Sequence, residues 1–568
     1  MSQGNIVFLA ANASYSHTNL AGWYLRGYAD SAGWDWHEVE VIQNDSLLSA
    51  LQRVLCLKPD VLAVSFYLFN SHFLLSFLSR FKAMRKDCLV IGGGPEFLGD
   101  NFSFLERHPE IDAVIRGEGE QAFAAWLECC RAPEKWREIK GLCAFINGNY
   151  FDNGRAETAR DLDEIPSPYG RLANFKKPFL LLETSRGCSN KCAFCTSPVV
   201  KRSAYFRASA DEHVRFFSLE RVRRDLALIS AAGVSEVRIA DRTFNENLPR
   251  FMALIKIMRD EFKNIRFHLE IDPARLLDEM ILEFSLAEPG RFHLEVGIQT
   301  AHAETLRGIG RGGSVERALS FLDQLCRRRN LAIHVDLIAG LPGAGLTDLY
   351  ADLRTLALME PDEIQLELLK VLPGTQLRDD MEKFGIIAAS EPPYEILQTA
   401  DMSHDDLVIA QRLSNLVDWF YNAHELQQSL IAAVKLVPEF FEQFADFCGS
   451  TAGASHAPAL ENRFRLLEQF CRLNAPALIP RLGYAWLKCG LSAQHGICRA
   501  TPWKKPLPMP DEAILVEGDD HAPPARNATH SVVGGPRRIY LVELERPYLF
   551  VYGQYPRRQA SAVYILKN

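Results

Sequence analysis

No stretch of the 568-residue sequence approaches the roughly 18 consecutive apolar residues that a membrane-spanning helix requires. No membrane partner is therefore expected. A secretory leader is missing as well: Met1-Ser-Gln-Gly-Asn-Ile-Val-Phe has no basic region ahead of an apolar core and no small-residue cleavage site. The expected location is the cytoplasm. Surplus positive charge is absent too. The 63 Lys and Arg against 71 Asp and Glu leave a formal charge of -8, which supplies no general pull toward nucleic acid, and no nucleic-acid partner is expected. No internal repeat or low-complexity tract stands out. The 13 cysteines are an odd number without the spacing of a disulfide framework, which points to a reducing compartment and to buried or metal-binding thiols.

What is present is ordinary globular material, 48% hydrophobic and 24% charged, with length enough for roughly three or four domains. Short apolar runs alternate with helical patterns at the start: Asn5-Ile-Val-Phe-Leu-Ala-Ala, Val61-Leu-Ala-Val-Ser-Phe and Cys88-Leu-Val-Ile-Gly-Gly-Gly. Between the last two, Leu74, Phe77, Leu78 and Phe81 recur at helical spacing and predict a crossover helix on a parallel sheet. A doubly wound, Rossmann-like α/β domain over 1–135 is predicted. A connector over 136–172 follows, rich in proline, with a hairpin-like stretch around Cys143.

A second strand-helix series then begins at Pro178-Phe-Leu-Leu-Leu-Glu. It repeats at Val234, Ile265, Arg291, Ala332 and Glu363. Six units predict a partial (β/α)6, TIM-like barrel over 173–385, with candidate site residues at the carboxyl ends of its strands. From 386 to 568 the pattern is mainly helical, closing in a terminal β hairpin over Arg538–Leu544 and Tyr548–Tyr552.

Cys188-Ser-Asn-Lys-Cys192-Ala-Phe-Cys195 directly follows the first strand of the second series. Three soft ligands on one loop select zinc or an iron-sulfur cluster. A structural zinc site usually needs a fourth cysteine or histidine at matched spacing, and none lies nearby in sequence. Three ligands on a four-iron cluster leave one iron open, which is what a catalytic centre requires.

The spacing Cys-x3-Cys-x2-Cys, with Phe194 before the last cysteine, resembles the signature of the radical S-adenosylmethionine (SAM) superfamily. Glu270 in Leu-Glu-Ile-Asp-Pro, Gln299 in Glu-Val-Gly-Ile-Gln-Thr, Arg311, and Asp336 in Val-Asp-Leu-Ile-Ala-Gly-Leu-Pro look like successive barrel motifs of the branch that includes oxygen-independent coproporphyrinogen oxidase. The resemblance implies that Cys188, Cys192 and Cys195 hold a [4Fe-4S] cluster whose open iron takes SAM. By the same resemblance Glu270 and Gln299 bond its polar groups, Arg311 its carboxylate and Asp336 its ribose. Asp241 ends the second strand, where the superfamily binds the amino group. Each position keeps an ordinary barrel-rim salt bridge as its alternative.

A doubly wound domain ahead of such a barrel resembles cobalamin (B12)-binding members of the superfamily. Ser65, Gly92-Gly93-Gly94 and Glu118 occupy the matching strand ends. The Asp-x-His-x-x-Gly motif is missing, so the lower axial ligand of cobalt stays open. His17 reads as a capping or core-lining residue, with a cofactor-facing role as the alternative. Tyr67, Tyr394 and Cys489 read as packing. Asn12-Ala-Ser-Tyr-Ser-His-Thr, Asp241-Arg-Thr-Phe-Asn and the helical extension resemble an uncharacterised subfamily carrying a terminal domain of unknown function. The resemblance implies a cobalamin-dependent radical SAM enzyme, a methyltransferase first of all. Radical rearrangement or oxidation without methyl transfer, and a non-catalytic cluster and cobalamin sensor, are the alternatives. A small-molecule or peptide substrate is expected, with a flavodoxin- or ferredoxin-like reductant.

Overall fold

The computed structural model describes residues 3–172, 175–197, 213–451, 458–493, 495–498, 500–502, 513–518, 538–543, 546–552 and 560–566. The chain divides into two compact units. The first comprises Met1–Leu346 with Glu367–Leu407, and the second Thr347–Leu366 with Val408–Asn568.

In the first unit, β1 (Asn5–Asn12), β2 (Asp35–Ile42), β3 (Val61–Ser65), β4 (Leu89–Gly93) and β5 (Ala113–Ile115) form a parallel sheet in the order 2-1-3-4-5. Alternation along β1 fills both faces. Val7 and Leu9 pack with Leu62, Phe77 and Phe81 on one side, while Ile6 and Phe8 pack with Ala63, Ile91 and Trp126 on the other. The order reverses between β1 and β3, and that switch point is where doubly wound sheets open a crevice at the strands' carboxyl ends. The hairpin β6 (Leu142–Ile146) and β7 (Asn149–Asp152) continues this sheet antiparallel beyond β5. The stretch expected to act as a connector thus contributes two strands: Cys143 and Ala144 are fully buried and pair with Val114 and Ala113.

The second sheet orders β8 (Leu180–Leu182), β11 (Glu236–Ile239), β12 (Arg266–Ile271), β13 (Phe292–Gln299), β14 (Ala332–Ala339) and β15 (Glu363–Leu368), the last spanning the border of the two units. Among the described residues this sheet does not close into a barrel, in keeping with the incomplete barrel expected. One face carries Phe267, Leu269, Leu294, Val296, Ile333 and Val335, all buried. The other is polar, with His268, Glu270, His293, Glu295, His334 and Asp336 alternating with the apolar set. Nε2 of His268 lies 2.7 Å from Oε2 of Glu295. The short strands β9 (Ser185–Arg186) and β10 (Arg215–Phe216) pair antiparallel at the mouth of the sheet.

The second unit is mostly helical. Phe420, Phe440, Phe444 and Phe470 cluster with ring centroids 5.0 to 5.4 Å apart, edge-to-face except for the stacked pair Phe440 and Phe444. Arg354 donates to the carbonyl of Val434 at 2.6 Å. The expected terminal hairpin is present as Arg538–Glu543 and Pro547–Tyr552, but within a five-stranded sheet with Ala500–Pro502, Ala513–Gly518 and Ala560–Leu566. The three extra strands lie beside Pro- and charge-rich stretches that mask their alternation. Among the described residues no helix is long and apolar enough to cross a membrane.

Candidate active site

The cysteine loop is held by the backbone of its neighbours. Lys191 and Ala193 donate their N–H groups to the carbonyls of Gly310 and Ile309 at 3.2 and 2.7 Å, and Leu377 donates to the carbonyl of Ala193 at 2.8 Å. Asn190 donates to Oδ2 of Asp272 at 2.8 Å. Asp272 is nearly buried and also faces Arg275 at 3.2 Å and Arg311 at 3.6 Å. A single carboxylate thus joins the loop to the cations around it.

A cavity of about 150 Å³ is lined by Cys188, Cys192, Cys195 and Phe194 together with Glu270, Gln299, Arg311 and Asp336. Asn190, Arg242, Thr243, Asp272, Glu295 and Gly297 complete much of its wall. Arg311 donates Nη2 to the carbonyl of Gly297 at 2.7 Å, and its Nη1 lies 3.8 Å from Sγ of Cys192. A Cβ on Gly297 would stand 2.7 Å from Nε2 of Gln299 and 3.4 Å from Nη2 of Arg311, so glycine is what lets both side chains approach. The ladder shifts register between Gly297 and Gln299, and Gln299 takes φ 69°, a strained conformation for a non-glycine residue at the cavity rim.

Carboxylates dominate the ionisable groups of this cavity. Burial pushes Glu270 up to about 7, against the opposing pull of Arg242. Burial, reinforced by Glu295 and Glu270, also raises Asp336 well above the usual carboxylate range. Burial raises the Cys192 thiol to about 11, with Arg311 pulling the other way, and Cys188 is raised by burial too. Thiols raised in this way shed their protons when a cationic metal centre takes them.

Asp241 is not brought to this cavity. It is buried at the end of β11, and its carboxylate accepts from the N–H of Thr184 at 2.6 Å, the hydroxyl of Thr184 at 2.5 Å and the N–H of Ser185 at 2.9 Å. That bonding fixes the strand end from which the cysteine loop departs. The next two residues, Arg242 and Thr243, face the cavity instead, with Thr243 Oγ1 3.3 Å from Sγ of Cys188. A strand end that turns over moves the exposed position by one residue, and the bare motif does not reveal it.

A larger cavity of about 530 Å³ lies at the carboxyl ends of β3, β4 and β5. Its walls include Ser65, Gly92, Gly93, Gly94 and Glu118, with Tyr24, Tyr67, Arg186 and Arg242. Gly94 has φ 106°, and a Cβ there would stand 2.4 Å from the carbonyl oxygen of Phe66. A Cβ on Gly93 would meet nothing within 4 Å, so its absence leaves a flat, open floor. Glu118 bonds Arg186 at 3.1 Å and Arg215 at 3.2 Å, and burial, which would raise it, is outweighed by these two guanidiniums. His17 does not line this cavity. Its Nδ1 lies 2.8 Å from Ser14 Oγ and its ring packs edge-on against Phe179, a core-lining role. Tyr67, read from the sequence as packing, is a wall of the cavity.

The structure thus presents two cavities, one floored by glycines at a doubly wound switch point and one walled by three cysteines. The Radical SAM superfamily model matches residues 182–356, the B12 binding domain model 6–127 and the Protein of unknown function (DUF4080) model 382–482. The chain therefore carries a radical SAM domain behind a B12-binding domain, with the DUF4080 domain following. An uncharacterized methyltransferase of Pyrococcus horikoshii is 24% identical over 60% of this chain and 74% of its own length. The 2-(S-pantetheinyl)-carbapenam-3-carboxylate methyltransferase of Streptantibioticus cattleyicolor is 25% identical over 59% of this chain, which spans half of that relative. The cobalamin-dependent SAM radical enzyme OxsB, solved with aqua-cobalamin and SAM bound, superposes with TM-score 0.59 at 16% identity over 87% of this chain and 82% of its own. The radical SAM methyltransferase TsrM of Kitasatospora setae, with cobalamin and a [4Fe-4S] cluster, gives 0.55 at 15% over 69% and 82%. At these identities the likeness to the solved structures is one of fold. The radical SAM domain implies a [4Fe-4S] cluster and SAM, and the B12 domain implies cobalamin. The residues fit both: three enclosed soft ligands with a guanidinium beside them, and a glycine floor open to a flat group.

Proposed function

We propose that the protein is a cobalamin-dependent radical SAM methyltransferase acting on an unactivated carbon. The observation that carries this reading is the shared lining of one cavity by Cys188, Cys192, Cys195, Glu270, Gln299, Arg311 and Asp336. When bound, the cluster and cobalamin supply the electron that splits SAM to a 5′-deoxyadenosyl radical and the methyl carrier.

The chain's own residues bind and orient. Cys188, Cys192 and Cys195 would hold three irons. Arg311 offers a fork for the SAM carboxylate, Asp336 an acceptor for ribose hydroxyls, and Glu270 and Gln299 polar contacts. The carboxylate-rich wall favours a sulfonium cation. Ser65, Gly92, Gly93, Gly94 and Glu118 would border cobalamin, and Phe194, which lines the cysteine cavity, would border the cluster-bound SAM. A small-molecule or peptide substrate and a flavodoxin- or ferredoxin-type reductant complete the reading.

The test is anaerobic reconstitution with iron, sulfide and cobalamin, then reduction with methyl-labelled SAM. The expected outcome is 5′-deoxyadenosine together with label on cobalamin or product. Replacement of all three cysteines with alanine should abolish iron content and 5′-deoxyadenosine together. If 5′-deoxyadenosine forms but label reaches neither cobalamin nor product, radical rearrangement or oxidation replaces methyl transfer. Undiminished iron and turnover in the triple variant would defeat the proposal.

A further inference from the structure

Arg242 is common to the linings of both cavities. Its side chain is 58% accessible, so the guanidinium is open to whatever enters either cavity. Among the described residues its guanidinium makes one hydrogen bond, Nη1 to Oε1 of Glu270 at a long 3.4 Å. The neighbouring guanidiniums are answered differently. Arg186 reaches Glu118 at 3.1 Å, Glu120 at 2.7 Å and Glu183 at 3.0 Å, and Arg215 is bonded to Glu118 and to the carbonyl of Ala159 at 2.6 Å. Arg311 is held by the Gly297 carbonyl and Asp272. Among the described residues, most of the five N–H donors of Arg242 are thus left for a visitor.

The visitor's charge follows from the two walls. The cysteine-side cavity presents four carboxylates, which suit a cationic ligand and offer Arg242 little that a bound SAM would not occupy. On the other side, the hydroxyls of Thr196 and Ser197 share a wall with Arg242. Within the reading above, the carbon to be methylated has to lie between the two cofactors, where this guanidinium stands. A planar, permanently charged fork in a cavity also lined by the hydroxyl residues Thr196 and Ser197 matches a carboxylate or a phosphate.

We infer that Arg242 is a substrate-recognition residue and that the substrate is a small molecule bearing an oxyanion, carboxylate or phosphate, close to the carbon that reacts.

The test is an anaerobic crystal of the cluster- and cobalamin-loaded enzyme with SAM, soaked separately with selenate and with 4-bromobenzoate and read by anomalous scattering. The expected result is a peak within hydrogen-bond distance of the Arg242 guanidinium. In Arg242→Met that occupancy should fall roughly tenfold or more, the scale of one lost charge-assisted bond. A peak with selenate alone identifies a phosphate-like group, and with 4-bromobenzoate alone a carboxylate. No peak at Arg242 in either soak, or a peak that survives in Arg242→Met, overturns the inference. A loss of SAM affinity in Arg242→Met as large as its loss of anion assigns the residue to SAM and overturns it too. The soaks need no turnover. An enzyme that holds the anion but never cleaves SAM therefore defeats the proposed function alone, and one that cleaves SAM but ignores both anions defeats this inference alone.

Discussion

Arg311 stands with Nη1 3.8 Å from Sγ of Cys192 and Nη2 2.7 Å from the carbonyl oxygen of Gly297. One guanidinium thus touches both a cysteine of the loop and the strand that carries Gln299. Arg311→Met should weaken SAM binding by roughly ten- to a hundredfold, the worth of a lost bidentate, charge-assisted contact. Iron content should stay near that of the wild type. Anaerobic equilibrium dialysis of labelled SAM alongside iron analysis checks both, and unchanged SAM affinity would remove Arg311 from the ligand's contacts.

The adjacent glycines should respond differently to the same substitution. Gly94→Ala forces a Cβ to within 2.4 Å of a backbone oxygen at φ 106°, and should destabilise the protein by about 1–3 kcal/mol. Gly93→Ala meets nothing within 4 Å and should leave the apparent Tm nearly unchanged while lowering cobalamin retention. Thermal denaturation of the apoprotein and cobalamin retention after gel filtration separate the two. Equal behaviour of both variants would count against the flat floor.

Binding of SAM should depend on pH. Glu270 is raised by burial to about 7, so below that value it is largely neutral and attracts a sulfonium poorly; above it the ionised form predominates. If binding needs the ionised form, the apparent Kd should fall about tenfold from pH 6 to pH 8. Glu270→Gln should flatten the curve. The sign for stability is opposite: a carboxyl raised above its unfolded value stabilises the apoprotein most at low pH, and that contribution is lost as pH rises through about 7. Isothermal titration across the range measures the first effect and apoprotein denaturation the second.

Tyr394 donates its hydroxyl to Oε1 of Glu96, and both side chains are buried. Tyr394→Phe leaves the Glu96 carboxyl without that donor and should cost about 1–3 kcal/mol. Urea denaturation followed by fluorescence measures it. A variant as stable as the wild type would mean that another donor replaces the phenol.

Chemistry packed into neighbouring residues was legible from sequence, whereas chemistry assembled by loop geometry was not. Cys188, Cys192 and Cys195 occupy one eight-residue loop, and the alternation of β12, β13 and β14 placed Glu270, Gln299 and Asp336 at strand ends on one face. Asp241 and Arg242 were harder to separate. Which of two successive residues faces the cavity depends on how the strand ends, and three protein donors claim the Asp241 carboxylate. The pairing of β6 with β5 joins Leu142–Ala144 to Ala113–Ile115 across a helix and a turn, and no local pattern announces it. Tyr67 looked like any other buried aromatic, because a cavity wall and a core have the same composition.

The histidine and carboxylate face of the second sheet has a consequence for stability. A sheet face carrying His268, Glu270, His293, Glu295, His334 and Asp336 cannot become a dry interior on its own, and a group that binds the native state there adds to its stability by mass action. The empty chain should therefore denature more readily than the loaded one, and the difference in apparent Tm reports how much of that free energy the bound groups supply.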